Sequence, residues 1–181
     1  MNPDEVLSEI HSAYRSAKDS LKIADRVQRR VLQGEELGSL IRGTSLPGEK
    51  SEVAADKLTR ARQEIDDLFI VAIWAAFESA LRTFFQSKCV CLKKLAPQDI
   101  SKNLEEHVIK EIEYWKMDEV LDLLKSNGFI DPMVIGNAKQ VKHYRDWIAH
   151  GKRKDAPTQA APDTAYRLLS EILTILDNHE A

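Results

Sequence analysis

Leu68-Phe69-Ile70-Val71-Ala72-Ile73-Trp74-Ala75-Ala76-Phe77 is the longest unbroken apolar run in the chain, bracketed by Asp66, Asp67 and Glu78. Ten residues fall far short of the roughly 20 needed to span a bilayer, so the run reads as the buried middle of a helix. Upstream of it, Ala54, Leu58, Ala61, Ile65, Leu68, Ala72 and Ala75 keep three-four spacing, the mark of a packed helical seam. The spacing predicts a helix from about Glu49 to Cys91, apolar on every face around Phe69 to Phe77 and therefore central. At 1.5 Å per residue it would be on the order of 60 Å long, more than a compact domain of this size can house. Its first turns are therefore expected beside another helix, as one arm of a long hairpin.

The other arm is legible at the N-terminus. Val6, Ile10, Ala13, Ala17, Leu21, Ala24, Val27 and Val31 carry the same period, from Pro3 to about Gln33. Four glycines and Pro47 between Gly34 and Gly48 form the most helix-hostile stretch, with room for one short turn over Glu35 to Ile41. After the central helix, Pro97 breaks the run, and Ser101 with Glu105 starts a third helix that reaches about Trp115. Asp118 caps a fourth that ends at Gly128. Asp131-Pro132 opens a fifth that ends at Gly151, and Asp163 to Asn178 forms a final amphipathic helix. No segment sustains period-two alternation, so the fold class is all-α: a helical bundle with a long N-terminal hairpin. The division expected is an N-terminal helix and glycine-rich loop over 1–48, packed on a helical domain over 49–181.

Composition agrees. The 181 residues are 43% hydrophobic, enough for one core, and 30% charged, with few glycines, prolines and aromatics. Disorder and a β-sandwich are both disfavoured. Met1-Asn2-Pro3-Asp4-Glu5 has neither a basic nor an apolar leader segment, so a cytoplasmic location and no membrane association are expected. Cys89 and Cys91 have neither redox nor zinc spacing and read as reduced thiols.

Charge is distributed unevenly. Lys139 to Lys154 holds six Lys or Arg and one Asp, a local +5 in a chain of net −3, leaving −8 for the rest. Such a cluster beside a helix end suits phosphates, and equally suits a solvated turn complementing the helix dipole. Arg145 follows Ala138 and Val141 and precedes Ile148 at three-four spacing, which sets its guanidinium on an apolar stripe. An arginine there needs a carboxylate, an interface or an anionic ligand; Glu78, stranded among apolar neighbours, or the Glu78/Arg82 pair is the intramolecular candidate. His150 lies five residues on, about 140° round the helix, so the two side chains diverge. Asp146 is spaced to reach His150, orient its imidazole and raise its pKa. His143, Asp146 and His150 share a face, but with no fourth ligand evident no metal is expected.

Arg145-Asp146-x3-His150-Gly151 resembles the R-x4-6-H motif of the HEPN superfamily, helical domains of prokaryotic toxins, phage-defence proteins and CRISPR-associated ribonucleases. Ile73-Trp74-Ala75-Ala76-Phe77-Glu78-Ser79-Ala80-Leu81 is similar to the long helix of those proteins, in which an aromatic and a glutamate recur, and the likeness extends over Glu49 to Ala181. The resemblance implies an up-down helical bundle, and an endoribonuclease acting on RNA as a homodimer, without metal or other cofactor. It implies His150 as general acid or base, Arg145 on the scissile phosphate and Asp146 orienting His150. Lys142, Lys152, Arg153 and Lys154 would gather the RNA backbone, with Glu78 and Tyr144 in support. An antitoxin or regulatory protein is a further implied partner. Where some family members carry a modifiable tyrosine two residues after the histidine, this chain has Lys152, and Tyr144 is expected to pack instead. The bland alternative is a non-catalytic module binding RNA, a nucleotide or a protein through the same patch.

Overall fold

The computed structural model describes residues 3–34, 38–44, 51–94, 98–126, 128, 130–153 and 155–178. Expectations for Glu35, Pro47, Gly48, Glu49, Pro97 and Lys154 lie outside these residues. Among the described residues every regular element is helical: α1 (Pro3–Leu32), the single turn α2 (Gly38–Ile41), α3 (Ser51–Cys89) continuing into a 3₁₀ turn (Val90–Lys94), α4 (Gln98–Ile112), α5 (Met117–Ser126), α6 (Pro132–Ala149) and α7 (Pro162–Asn178). The all-α reading holds, and most boundaries fall within a turn of where glycine, proline and capping residues set them.

Local chemistry explains the ends. Asp131 accepts the Met133 backbone N–H at 2.6 Å, and Pro132, which has no N–H to lose, takes the first helical position. Two expected starts differ. Asp118 lies inside the first turn of α5, and its carboxylate meets Lys142 of α6 at 2.9 Å rather than capping its own helix. Ser101 and Glu105 lie within α4, both buried, because that helix begins at Gln98.

The hairpin forms as α1 packs antiparallel along α3. Tyr14 Oη donates to Asp66 at 2.8 Å, Lys18 Nζ meets the same carboxylate at 2.6 Å, and further along Arg62 meets Asp25 at 3.1 Å. α7 closes against both: His11 bonds Asp163 at 2.7 Å and stacks on Tyr166 with ring centroids 4.0 Å apart. Leu7 and Tyr14 of α1 join the same core as Leu121 and Leu124 of α5, Ile135, Val141 and Tyr144 of α6, and Leu169, Ile172 and Leu173 of α7. The N-terminal helix is thus part of the main core.

The centre of that core is one side of α3: Phe69, Ile70, Ile73, Trp74, Phe77 and Leu81 are all buried. The expectation that α3 is covered on every face is corrected. Ala54 and Leu58 are buried as the seam predicted, but Leu68 is 64% exposed, and Ala72 and Ala75 are exposed too. A seven-residue repeat drifts about 20° per heptad on a straight α-helix, so a seam that begins against α1 has rotated off it three heptads later. The stretch Glu52–Leu92 is long and apolar enough by length and composition to cross a membrane, and 33% of its most apolar window is buried.

Candidate functional site

α6 runs antiparallel to α3, and its C-terminal turns carry the motif. Arg145 Nη2 donates to Glu78 Oε2 at 3.1 Å and Nη1 to Asp146 Oδ1 at 2.8 Å. Glu78 is itself held from two directions, by Trp74 Nε1 at 3.1 Å and Arg82 Nη1 at 2.5 Å. The intramolecular partner inferred for Arg145 is therefore the one it has. The Arg145 side chain is part-buried, and the two carboxylates flanking it fix its guanidinium in direction.

Asp146 is where the spacing argument fails. Its Oδ1 takes Arg145 and its Oδ2 takes Lys142 at 2.9 Å, so the side chain does not bond His150. The bond between the two residues is backbone, His150 N–H to Asp146 C=O at 2.9 Å. Four-residue spacing offered Asp146 two neighbours, Lys142 and His150, and the cation won. Burial pushes the Asp146 carboxyl up, but the Lys142 and Arg145 charges outweigh it and hold the group below the usual carboxylate range. Burial likewise works against the Lys142 ammonium, while Asp146 and Asp118 more than compensate and raise it.

The basic cluster is also largely neutralised within the chain. Lys139 pairs with Asp122 at 2.7 Å and Lys142 with Asp118 and Asp146. Lys152, expected to gather RNA, folds back onto α3, meeting Glu64 at 3.1 Å and Asp67 Oδ2 at 2.7 Å. Arg153 has no carboxylate partner among the described residues and is exposed. Lys154 lies outside them.

Asp67 is the residue the sequence reading missed. Only 2% exposed, it accepts Tyr144 Oη at 2.7 Å and meets Lys152, tying the middle of α3 to both sides of the motif. Burial, then the Asp67 hydrogen bond, pushes the Tyr144 phenol up to about 12; this tyrosine packs, as expected. The available signal was an acidic pair, Asp66-Asp67, directly before the apolar run. Two residues after His150, Lys152 adopts φ 57°, a conformation that costs a non-glycine residue about 1–2 kcal/mol. Gly151 at φ 77° bonds back to Ile148 C=O and Lys152 N–H to Trp147 C=O, both at 2.9 Å, which reverses the chain sharply after the helix.

Arg145 and His150 open into different concavities. His150 lines one of about 540 Å³ with His143, Asp146, Trp147, Arg153 and Asp155. Arg145 lines another of about 330 Å³ with Glu78, Ser79, Arg82, Thr83 and Gln86. His143, Asp146 and His150 share the first hollow, yet among the described residues no three His, Cys, Asp or Glu side chains are grouped to hold a metal ion.

The depressed carboxyls set an acid limit on stability. Asp146, Asp25 of α1, held down by Arg62 and Arg29 against burial, and Asp163 of α7, held down by His11, all titrate lower when folded. A depressed folded pKa adds stability above the unfolded value of about 4, and that stability is lost as pH falls through the folded value. The urea midpoint is expected to hold steady near neutrality and drop between about pH 4 and 2; an unchanged midpoint at pH 2.5 would show these pairs to be energetically idle.

Compared with protein-family models, curated proteins and solved structures, the chain matches none of them.

Proposed function

We propose that the chain is a metal-independent endoribonuclease of the HEPN type, working in the cytosol as a homodimer in toxin or phage-defence roles, with Arg145 of one subunit and His150 of the other forming each site. What supports the reading is that Arg145 and His150 belong to one motif but face separate hollows, so a single chain does not present both to one phosphate. A two-fold partner supplies the missing half.

In this reading the RNA 2′-oxygen attacks the adjacent phosphorus, its proton passes to a base, and the 5′-oxygen leaves with a proton from an acid. His150 takes one of those two proton transfers, and the product carries a 2′,3′-cyclic phosphate. Arg145 receives the phosphate. A guanidinium has about five N–H donors, of which Glu78 and Asp146 use two, so three remain for the phosphate oxygens. Glu78 and Asp146 are positioning residues that aim Arg145, which replaces the orienting role over His150 first expected of Asp146. Among the described residues of the cluster, Arg153 is the exposed cation left for the RNA backbone, and an antitoxin or regulatory protein belongs to the same proposal.

One observation favours the second reading, a non-catalytic module that binds RNA, a nucleotide or a protein: four of the six basic residues in the cluster are already paired with carboxylates. The test is RNA incubated with the purified chain in EDTA. Cleavage leaving cyclic phosphate ends, abolished in Arg145→Ala, is expected. Cleavage that survives in that variant contradicts the assignment, and salt-sensitive binding without turnover favours the module.

A further inference from the structure

The hollow that His150 lines is built around an indole. Trp147 lies four residues after His143 and three before His150, so three aromatic side chains follow one another along the face of α6 that opens into it. Beyond the helix, the reversal at Gly151 and Lys152 carries Arg153, Asp155 and Pro157 across to form the rest of the lining. Trp147 is half-buried, and Tyr144 and Lys152 back it from the inner side: the phenol stacks at a centroid distance of 5.7 Å, Lys152 Nζ stands 6.0 Å from the ring centre, and both reach the single Asp67 carboxylate. At about 540 Å³ the hollow falls within the range of about 300–1,000 Å³ of small-ligand sites.

We propose that this hollow is a nucleobase subsite and that the base it takes is an unpaired guanine. An aromatic lining suits the flat faces of a base, and stacking on aromatic side chains is a principal way in which proteins hold single-stranded RNA. Stacking accepts every base; the choice among them falls to Asp155. This residue is exposed, lines the hollow and has no hydrogen-bond or ion-pair partner among the described residues, whereas the other acid in the lining, Asp146, has both oxygens occupied by Arg145 and Lys142. A carboxylate only accepts, and its two oxygens match two parallel N–H groups. Guanine offers such a pair, N1–H and the N2 amino group, on its Watson–Crick edge. Adenine and cytosine offer one amino group beside an acceptor nitrogen that a carboxylate repels, and uracil offers one N–H between two carbonyls.

His150 lines the same hollow, so a guanine held by Trp147 and Asp155 brings its own ribose and phosphate to the imidazole, with Arg153 beside them for the backbone charge. Here the proposal rests on the ribonuclease reading: cleavage falls at guanosines in single-stranded RNA, since a paired base keeps its Watson–Crick edge from Asp155 and its faces within the stack.

Fluorescence anisotropy with short oligouridines tests the subsite independently of activity. The probes carry 2′-O-methyl riboses, which block cleavage, and hold a single central guanosine, adenosine or cytidine, or uridine throughout. The guanosine probe is expected to bind at least about tenfold tighter than the other three. Asp155→Asn, at an exposed position outside the core, is expected to level the four affinities. Trp147→Leu is expected to weaken the guanosine probe by about tenfold or more, through lost stacking. Equal affinity of the wild-type chain for the four probes, a preference for adenosine or cytidine, or a guanosine preference that survives Asp155→Asn overturns the proposal. Guanosine-selective binding with no cleavage of the unmodified RNA keeps the subsite and removes the ribonuclease reading. Cleavage as frequent at other nucleotides as at guanosine keeps the ribonuclease reading and removes the subsite.

Discussion

His150→Ala is expected to slow RNA cleavage by about 10²–10⁴-fold while leaving the fold intact, since a positioned proton donor or acceptor supplies acceleration of that size. The imidazole is exposed at the helix end, and the bond that closes the last turn runs from the His150 backbone N–H to Asp146 C=O, which alanine keeps. Melting temperature and RNA affinity are therefore expected to stay near wild type. Arg145→Lys is the informative companion. Lysine keeps the charge but not the planar fork that serves Glu78, Asp146 and a phosphate together, so a large loss of rate is expected from it as well. Cleavage within tenfold of wild type in His150→Ala would remove that residue from the chemistry.

Trp74→Ala carries the largest expected effect on stability, about 3–5 kcal/mol, or on the order of 10 °C in melting temperature for a chain of this size. The indole is fully buried against Phe77 at a centroid distance of 5.4 Å. Its Nε1 also donates to Glu78, the carboxylate that holds Arg145, so the same substitution leaves Glu78 with one fewer anchor. Trp74→Phe separates the two roles: most of the packing is restored, and the hydrogen bond is not. The expectation is near-normal stability with weakened RNA cleavage. A thermal scan showing less than about 1 kcal/mol of loss in Trp74→Ala would contradict the placement of this side chain at the core.

The helices were legible because their signals are local. Asp131-Pro132, Gly151 and the three-four spacing of α7 act within a turn or two, and the structure keeps them. What the sequence hid depends on which elements meet. Lys152 looked like a free cation until α3 placed Glu64 and Asp67 beside it, Glu64 lying 88 residues away in the chain. Asp146 had two candidates on its own helix, and spacing alone did not choose between Lys142 and His150. Leu68, Ala72 and Ala75 carry the same spacing as the buried Ala54 and Leu58, yet they face outward because the core lies on a different side of α3 in its second half. Arg145 was the exception. An arginine on an apolar stripe and a lone glutamate in an apolar run each needed a partner, and they found each other.

The measurement that tests the shared site most directly mixes two inactive variants, Arg145→Ala and His150→Ala. If each site takes Arg145 from one subunit and His150 from the other, half of the dimers are mixed and each holds one intact site, so about a quarter of wild-type RNA cleavage returns. Cleavage at that level is the result predicted. A mixture as inactive as its components, with subunit exchange confirmed by mass, would contradict it.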